Sequence, residues 1–166
     1  MVHPGPLPAD LPEPLTGRLR HAVDTDADDL AALLMAAFEE AWDASRARAE
    51  LLATPDVVRT WVVEDPRGRL VATASERLLP DQYPGSGYLH WVATAPEARG
   101  TGLGSLVTRA CLAGFAARGM QKAVLETEDY RGPAVRTYLR LGFVPEYRND
   151  DERLRWSALF PRLLGQ

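Results

Sequence analysis

The sequence predicts one α/β domain of the α+β kind, with a mixed central sheet and helices on its faces. Three observations carry this. The chain has 166 residues, 46% of them apolar, which suits one core and would leave two cores thin. Runs that alternate apolar and polar residues, the period of a half-buried strand, are interleaved with runs of helical period. Their order, β-α-α-β-β-β-α-β-α-β-β, places helices against the faces of one sheet.

Residues 1–16 carry Pro4, Pro6, Pro8, Pro12 and Pro14, which sustain neither a helix nor a central strand. A disordered, Pro-rich tail is expected there, with the domain over 17–166. Arg18 to Val23 alternates like a strand. Thr25-Asp26-Ala27-Asp28 resembles a capping box with Asp in the last position. It opens a helix that sets Leu30, Leu33, Leu34, Ala37 and Phe38 at helical spacing. A short second helix is expected from Asp43 to Ala53, stopped by Pro55.

Val57 to Glu64 reads as a strand, Asp65-Pro66-Arg67-Gly68 as a tight turn, and Arg69 to Leu79 as the hairpin partner. A loop at 81–87 leads to a strand from Tyr88 to Ala95. The glycine-rich turn at 99–104 opens a helix with Leu103, Leu106, Val107, Ala110, Cys111 and Gly114 on one side. Ala123 to Glu128 reads as a strand. Gly132-Pro133 starts a helix with proline in its first turn, and Gly142 ends it. Two short strands, near Phe143–Arg148 and Arg153–Leu159, are expected to finish the fold.

Composition excludes several functions. A net charge of −4 supplies no basic footprint for nucleic acid and mildly favours a cationic or neutral substrate. Cys111 is the only cysteine, so neither an intrachain disulfide nor a cysteine metal cluster can form. His3, His21 and His90 show no metal-ligand spacing, and no metal is expected. No apolar run approaches the roughly 20 residues of a membrane span, and residues 1–6 lack the pattern of a signal peptide. A cytoplasmic location follows as the expectation.

The chemistry concentrates in Arg99-Gly100-Thr101-Gly102-Leu103-Gly104-Ser105, between a strand and a helix. Glycines there let backbone N–H groups approach a ligand, and the helix N-terminus adds a positive dipole end. Together they make a pyrophosphate cradle. The glycine spacing, G-x-G-x-G, is not the dinucleotide fingerprint, and no lysine follows as in a Walker loop. A purely structural turn is the alternative on this segment alone.

This segment resembles the [QR]-x-x-G-x-[GA] signature of the GNAT superfamily of N-acetyltransferases, with Pro96 also in the family's place. Ala134-Val135-Arg136-Thr137-Tyr138-Leu139-Arg140-Leu141-Gly142-Phe143 is similar to that family's A-[IV]-x-x-Y-x-x-x-G-F element. The resemblance is sharp over about 88–147 and rests on element order before that. It implies a mostly antiparallel sheet with helices on both faces, and acetyl-coenzyme A as cosubstrate. The strand before the glycine turn would bulge, and the backbone of Val92, Ala93 and Thr94 would pair with the pantetheine arm. Amides of Gly100, Thr101, Gly102, Leu103, Gly104 and Ser105, with Arg99 at the head of the motif, would hold the pyrophosphate. Tyr138 falls on the tyrosine that protonates the departing thiolate in many members; it also reads as a core aromatic. Arg131 stands where the family often has Asn, and the resemblance leaves it between a cofactor contact and a solvated charge.

An alkyl amine is largely protonated at neutral pH, so direct attack on the thioester needs a base or a proton wire. Glu126 aligns with the base of ribosomal-protein N-terminal acetyltransferases, and His90 with a histidine of arylalkylamine-type members. Each also reads structurally, as a sheet-end carboxylate and a strand histidine. Glu128 and Asp129 lie near enough to substitute. Trp42, Asp43, Tyr83 and Trp91 are expected to line the acceptor pocket, Trp61 and Trp156 the core, and Cys111 is read as a small buried hydrophobe. The resemblance implies transfer of an acetyl group to a primary amine of a small molecule or peptide. A longer acyl group, or a catalytically silent coenzyme A-binding domain, remain open, as does a homodimer.

Overall fold

The hairpin at the centre of the fold is made by the Asp65 side chain. Its Oδ1 accepts the N–H groups of Arg67 at 2.8 Å and Arg69 at 3.0 Å, and Gly68 takes the positive φ (81°) that closes the turn. The turn joins β3 (Val57–Glu64) to β4 (Leu70–Arg77). The computed structural model describes residues 1–165. Its other strands are β1 (Val2–His3), β2 (Arg18–His21), β5 (Ser86–Thr94) and β6 (Lys122–Val124). They form a six-stranded sheet in the order β1-β6-β5-β4-β3-β2. Only β5 and β6 run parallel; every other neighbouring pair is antiparallel.

Seven consecutive residues of β4, Leu70–Glu76, are buried, as only a strand covered on both faces can be. Cross-strand partners Thr60 and Ser75 share a hydrogen bond of 2.8 Å, and Thr60 also donates to the Leu51 carbonyl. That face therefore meets the segment around Leu51. The opposite face carries Trp61 and Glu76 and meets α3 (Leu103–Ala117), where Gly114 lies against the Glu76 carboxylate. Helix α1 (Ala27–Phe38) packs on β4 and β5 and buries Leu30, Leu33 and Leu34. Helix α4 (Gly132–Arg140) follows β6. No described helix is long and apolar enough to cross a membrane.

The structure corrects several boundaries. Within 1–16, Val2–His3 is strand β1, antiparallel to β6, with Val2 also bridging Val144 and His3 buried edge-on against Phe143. Prolines forbid a central strand, but two residues on an edge escape that limit. Asp26 serves the turn before α1: it accepts the Val23 N–H and a bidentate Arg20 guanidinium at 2.7 and 2.8 Å. The second helix begins as expected, with Asp43 capping Arg46 N–H, but α2 (Ala44–Ala47) passes into a π-helical turn at Arg48–Leu52. The expected strand at Arg153–Leu159 is instead part of α5 (Asp150–Leu164). Asn149 accepts the Glu152 N–H and Glu152 accepts the Arg148 N–H, so a helix start prevails over an alternating pattern. Phe143–Arg148 forms no strand beyond the single bridge at Val144.

Glu76 is the fully buried carboxylate of this core. It accepts Trp61 Nε1–H at 2.7 Å and Arg118 Nε–H at 3.3 Å, with Arg59 at 3.9 Å, and burial pushes its pKa up. A side chain at Gly114 would occupy the carboxylate's place. Gly114→Ala is therefore expected to cost about 2 kcal/mol, the scale of overpacking in a closed core. Urea denaturation checks it; an unchanged midpoint would show that Glu76 can move at no cost.

Candidate active site

Strand β5 breaks register with β4 in its middle. Its partners on β4 run Ala72↔Thr94 and Thr73↔Ala93, then resume at Ser75↔His90. Two residues, Trp91 and Val92, thus oppose the single Ala74, which is a β-bulge. Trp91 takes φ 45°, a left-handed conformation that an aromatic residue adopts only under constraint. The constraint is visible: Trp91 Nε1 donates to Glu50 at 3.0 Å, and the ring packs edge-on against Phe38 (5.1 Å) and Trp42 (4.8 Å). On the other side, β5 pairs with β6 only from Ser86↔Lys122 to Tyr88↔Val124. From Leu89 to Thr94 that edge has no strand beside it among the described residues.

The open edge leads to the glycine turn. Gly100 and Gly102 take φ of 80° and 87°, and a Cβ at either would meet nothing within 4 Å. The first intrahelical bond of α3 is Leu106 N–H to the Gly102 carbonyl, with no side-chain cap. The amides of Leu103, Gly104 and Ser105 thus point out of the helix end, where the dipole is positive. Arg99 is turned away, donating to the Ala37 carbonyl at 3.3 Å. Thr101 Oγ1 donates to the Ala98 carbonyl. These two side chains brace the turn, while its backbone faces outward. The cradle and the free edge together fit a long ligand with a diphosphate at one end and amides at the other, as coenzyme A is built.

Tyr138 lies on α4, 7% exposed, with its ring against Phe143. Burial pushes its hydroxyl up to about 12, with Arg131 pulling the other way, so it holds its proton at neutral pH. Arg131 is the N-cap residue of α4, and its guanidinium lies 4.5 Å over the Phe38 ring.

On the face that meets α1 and the π turn, aromatic rings run in contact from Tyr83 through Tyr88, His90 and Trp91 to Trp42, each step under 6 Å. Burial and the Arg77 cation push His90 down to about 4, so it is neutral at physiological pH. Glu126 is exposed and accepts the Tyr83 hydroxyl at 2.9 Å and the Tyr88 hydroxyl at 3.5 Å, with Arg148 also at 3.5 Å. Tyr88, pushed up to about 12 by burial, stands between Glu126 and His90. Trp42 is buried under the Arg46 guanidinium, 3.9 Å from its ring, and Asp43 is spent on capping α2. Cys111 is wholly buried, its thiol pushed well up. Tyr88 and Glu50 escape a reading of motifs. Alternation puts Tyr88 and His90 on one face of β5, a signal that could have found the tyrosine. Glu50 reaches Trp91 only because the π turn and the bulge coincide.

Known proteins share this fold. The model of the acetyltransferase (GNAT) family matches residues 27–143. Mycothiol acetyltransferase of Nocardia farcinica is 37% identical over 94 residues, covering 50% of this chain and 31% of that protein. The chain thus spans about a third of that relative's length. A GNAT-family protein of Novosphingobium aromaticivorans superposes with a TM-score of 0.68 at 31% identity, over 87% of this chain and 57% of that one. An aminoglycoside N-acetyltransferase in complex with CoA shares the fold, with a TM-score of 0.68 at 15% identity over 80% of this chain and 90% of that one.

Gly104 gives the cleanest test of the cradle. Its φ is not left-handed, and an added Cβ meets only Thr94 Oγ1 at 3.5 Å, so a side chain there is aimed at ligand space without backbone strain. Acetyl-coenzyme A at about 100 times its dissociation constant is expected to stabilise the protein by about 2.7 kcal/mol. Gly104→Val is expected to abolish that gain while melting normally without ligand. Thermal denaturation checks both, and a wild type unmoved by the ligand would contradict the site.

Proposed function

Because the chain belongs to the acetyltransferase (GNAT) family, we propose that it transfers the acetyl group of acetyl-coenzyme A to a primary amine of a small molecule, by direct attack within a ternary complex. The observation that carries this reading is the coincidence of three features on β5 and its turn: the bulge, the unpaired edge and the uncapped amides of α3. The mycothiol acetyltransferases among the relatives support a small-molecule acceptor over a peptide.

The backbone of Val92 to Thr94 lies along the open edge, where it offers strand-like pairing to the pantetheine amides. The amides of Leu103, Gly104 and Ser105 hold the diphosphate. The Val92 N–H, at the bulge, is the donor for the acetyl carbonyl oxygen as it gains charge. Glu126, gripped by Tyr83 and Tyr88, takes the amine proton, with Tyr88 and neutral His90 forming the path toward it. Tyr138 gives its hydroxyl proton to the departing sulfur. Glu50 and Glu126 flank the aromatic run and supply the negative field that draws in a cationic amine.

Three substitutions test these roles. Tyr138→Phe is expected to lower turnover by roughly 10²–10⁴-fold with coenzyme A binding retained, the range for a lost general acid; unchanged turnover would assign the proton to water. Glu126→Gln is expected to lower turnover at neutral pH and to recover in part at high pH, where the amine sheds its own proton. His90, neutral above about 4, is expected to contribute no acid limb near neutrality. A neutral limb that vanished in His90→Gln would reverse the assignment of the base.

A further inference from the structure

Arg131 stands in an unusual position for a cation. Its backbone is locked at the start of α4, with its N–H on the Glu128 carbonyl at 3.0 Å and its own carbonyl accepting from Ala134 and Val135. Its side chain crosses from the β6 side of the cleft to α1, where the guanidinium lies over Phe38. Phe38 in turn packs on Trp91, at the bulge. Seven residues, two helical turns, separate Arg131 from Tyr138, so both occupy one face of α4. Arg131 is half-buried and forms no ion pair among the described residues; its one polar contact is the Tyr130 hydroxyl at 3.4 Å. Nine other arginines, among them Arg20, Arg77 and Arg148, are paired with carboxylates. Arg131 is thus a cation with no carboxylate partner among the described residues, over the ring that packs on the bulge and close enough to Tyr138 to act on its hydroxyl.

We propose that Arg131 is a charge-positioning residue for the leaving thiolate, its guanidinium held over Phe38 so that negative charge forming between the β5 bulge and Tyr138 meets a fixed cation. The inference rests on the acetyl-transfer reading. In that step the amine nitrogen bonds to the acetyl carbon, and the C–S bond breaks with its electron pair on sulfur. The Tyr138 proton passes to sulfur, and the phenolate regains a proton from water. Negative charge therefore resides first on sulfur and then on the Tyr138 oxygen, in a site where burial opposes it. The titratable groups acting on Tyr138 are Arg131, from its own helix, and Cys111 from α3. Cys111 is held as the neutral thiol, which leaves Arg131 as the cation there. An opposite charge at close range favours the ionised form by about one pH unit or more.

The test reads the ionisation of bound coenzyme A itself. The ultraviolet thiolate band of coenzyme A bound to the protein is followed against pH. Arg131→Met is expected to raise the midpoint by about one unit, a tenfold weaker acid, and Arg131→Lys to restore most of the wild-type value. Arg131→Gln is read alongside, so that a folding failure of the methionine variant leaves the comparison standing. A midpoint that stays put in a folded, coenzyme A-bound variant overturns the inference alone. So does loss of coenzyme A affinity in a folded variant, which would make Arg131 an anchor for the cosubstrate. Failure of the wild type to bind coenzyme A would overturn the functional reading and the inference with it.

Discussion

Backbone hydrogen-bonding groups must find partners, and β5 is built so that one of its edges, beyond Tyr88, has no strand beside it among the described residues. Next to β4 it pairs along most of its length, and next to β6 it pairs only as far as Tyr88. The bulge at Trp91–Val92 re-aims the strand at that point. A ligand with amides of its own is the natural partner for such an edge, because unpaired strand groups that water cannot reach are costly. The strain at Trp91, of order 1–3 kcal/mol for a residue held in a sparsely populated conformation, is offset by its surroundings. Glu50 binds the indole N–H, and Phe38 and Trp42 hold the ring. Helix α1, the π turn and the sheet are therefore coupled through one side chain.

That coupling explains how the two sides of the site relate. Arg99 ties the glycine turn to the end of α1 through the Ala37 carbonyl. Arg131 ties α4 to the same end of α1 through Phe38. The C-terminus of α1 thus meets the cosubstrate turn, the bulge and the start of α4. The carboxylates beside the aromatic run come from different places: Glu50 from the π turn and Glu126 from just past β6. They converge only because β5 carries Tyr88, His90 and Trp91 between them.

Much of this was legible in the residues. β3 lies at 57–64 as its alternation indicates, and the glycine turn and α4 sit where their motifs place them. These elements announce themselves locally, through period and through residues that only one backbone conformation tolerates. What escaped depends on distant contacts. Val2–His3 becomes a strand because β6 offers an edge, which proline content near the start of the chain conceals. In α5, Leu154, Trp156 and the polar residues between them alternate like a strand, yet Asn149 caps the Glu152 N–H and Glu152 reaches back to the Arg148 N–H. The role of Glu50 required the π turn, which no local pattern signals. His90 stands in the sequence as a candidate base, and burial with Arg77 nearby moves it down to about 4.

The central claim is that the free edge of β5 and the uncapped end of α3 are one continuous binding surface for coenzyme A. Amide hydrogen exchange, measured residue by residue with and without coenzyme A, tests it directly. Exchange is expected to slow at Val92 to Thr94 and at Leu103 to Ser105 in the complex, in the same titration. Protection confined to the glycine turn, or bound coenzyme A with no change along β5, would contradict it.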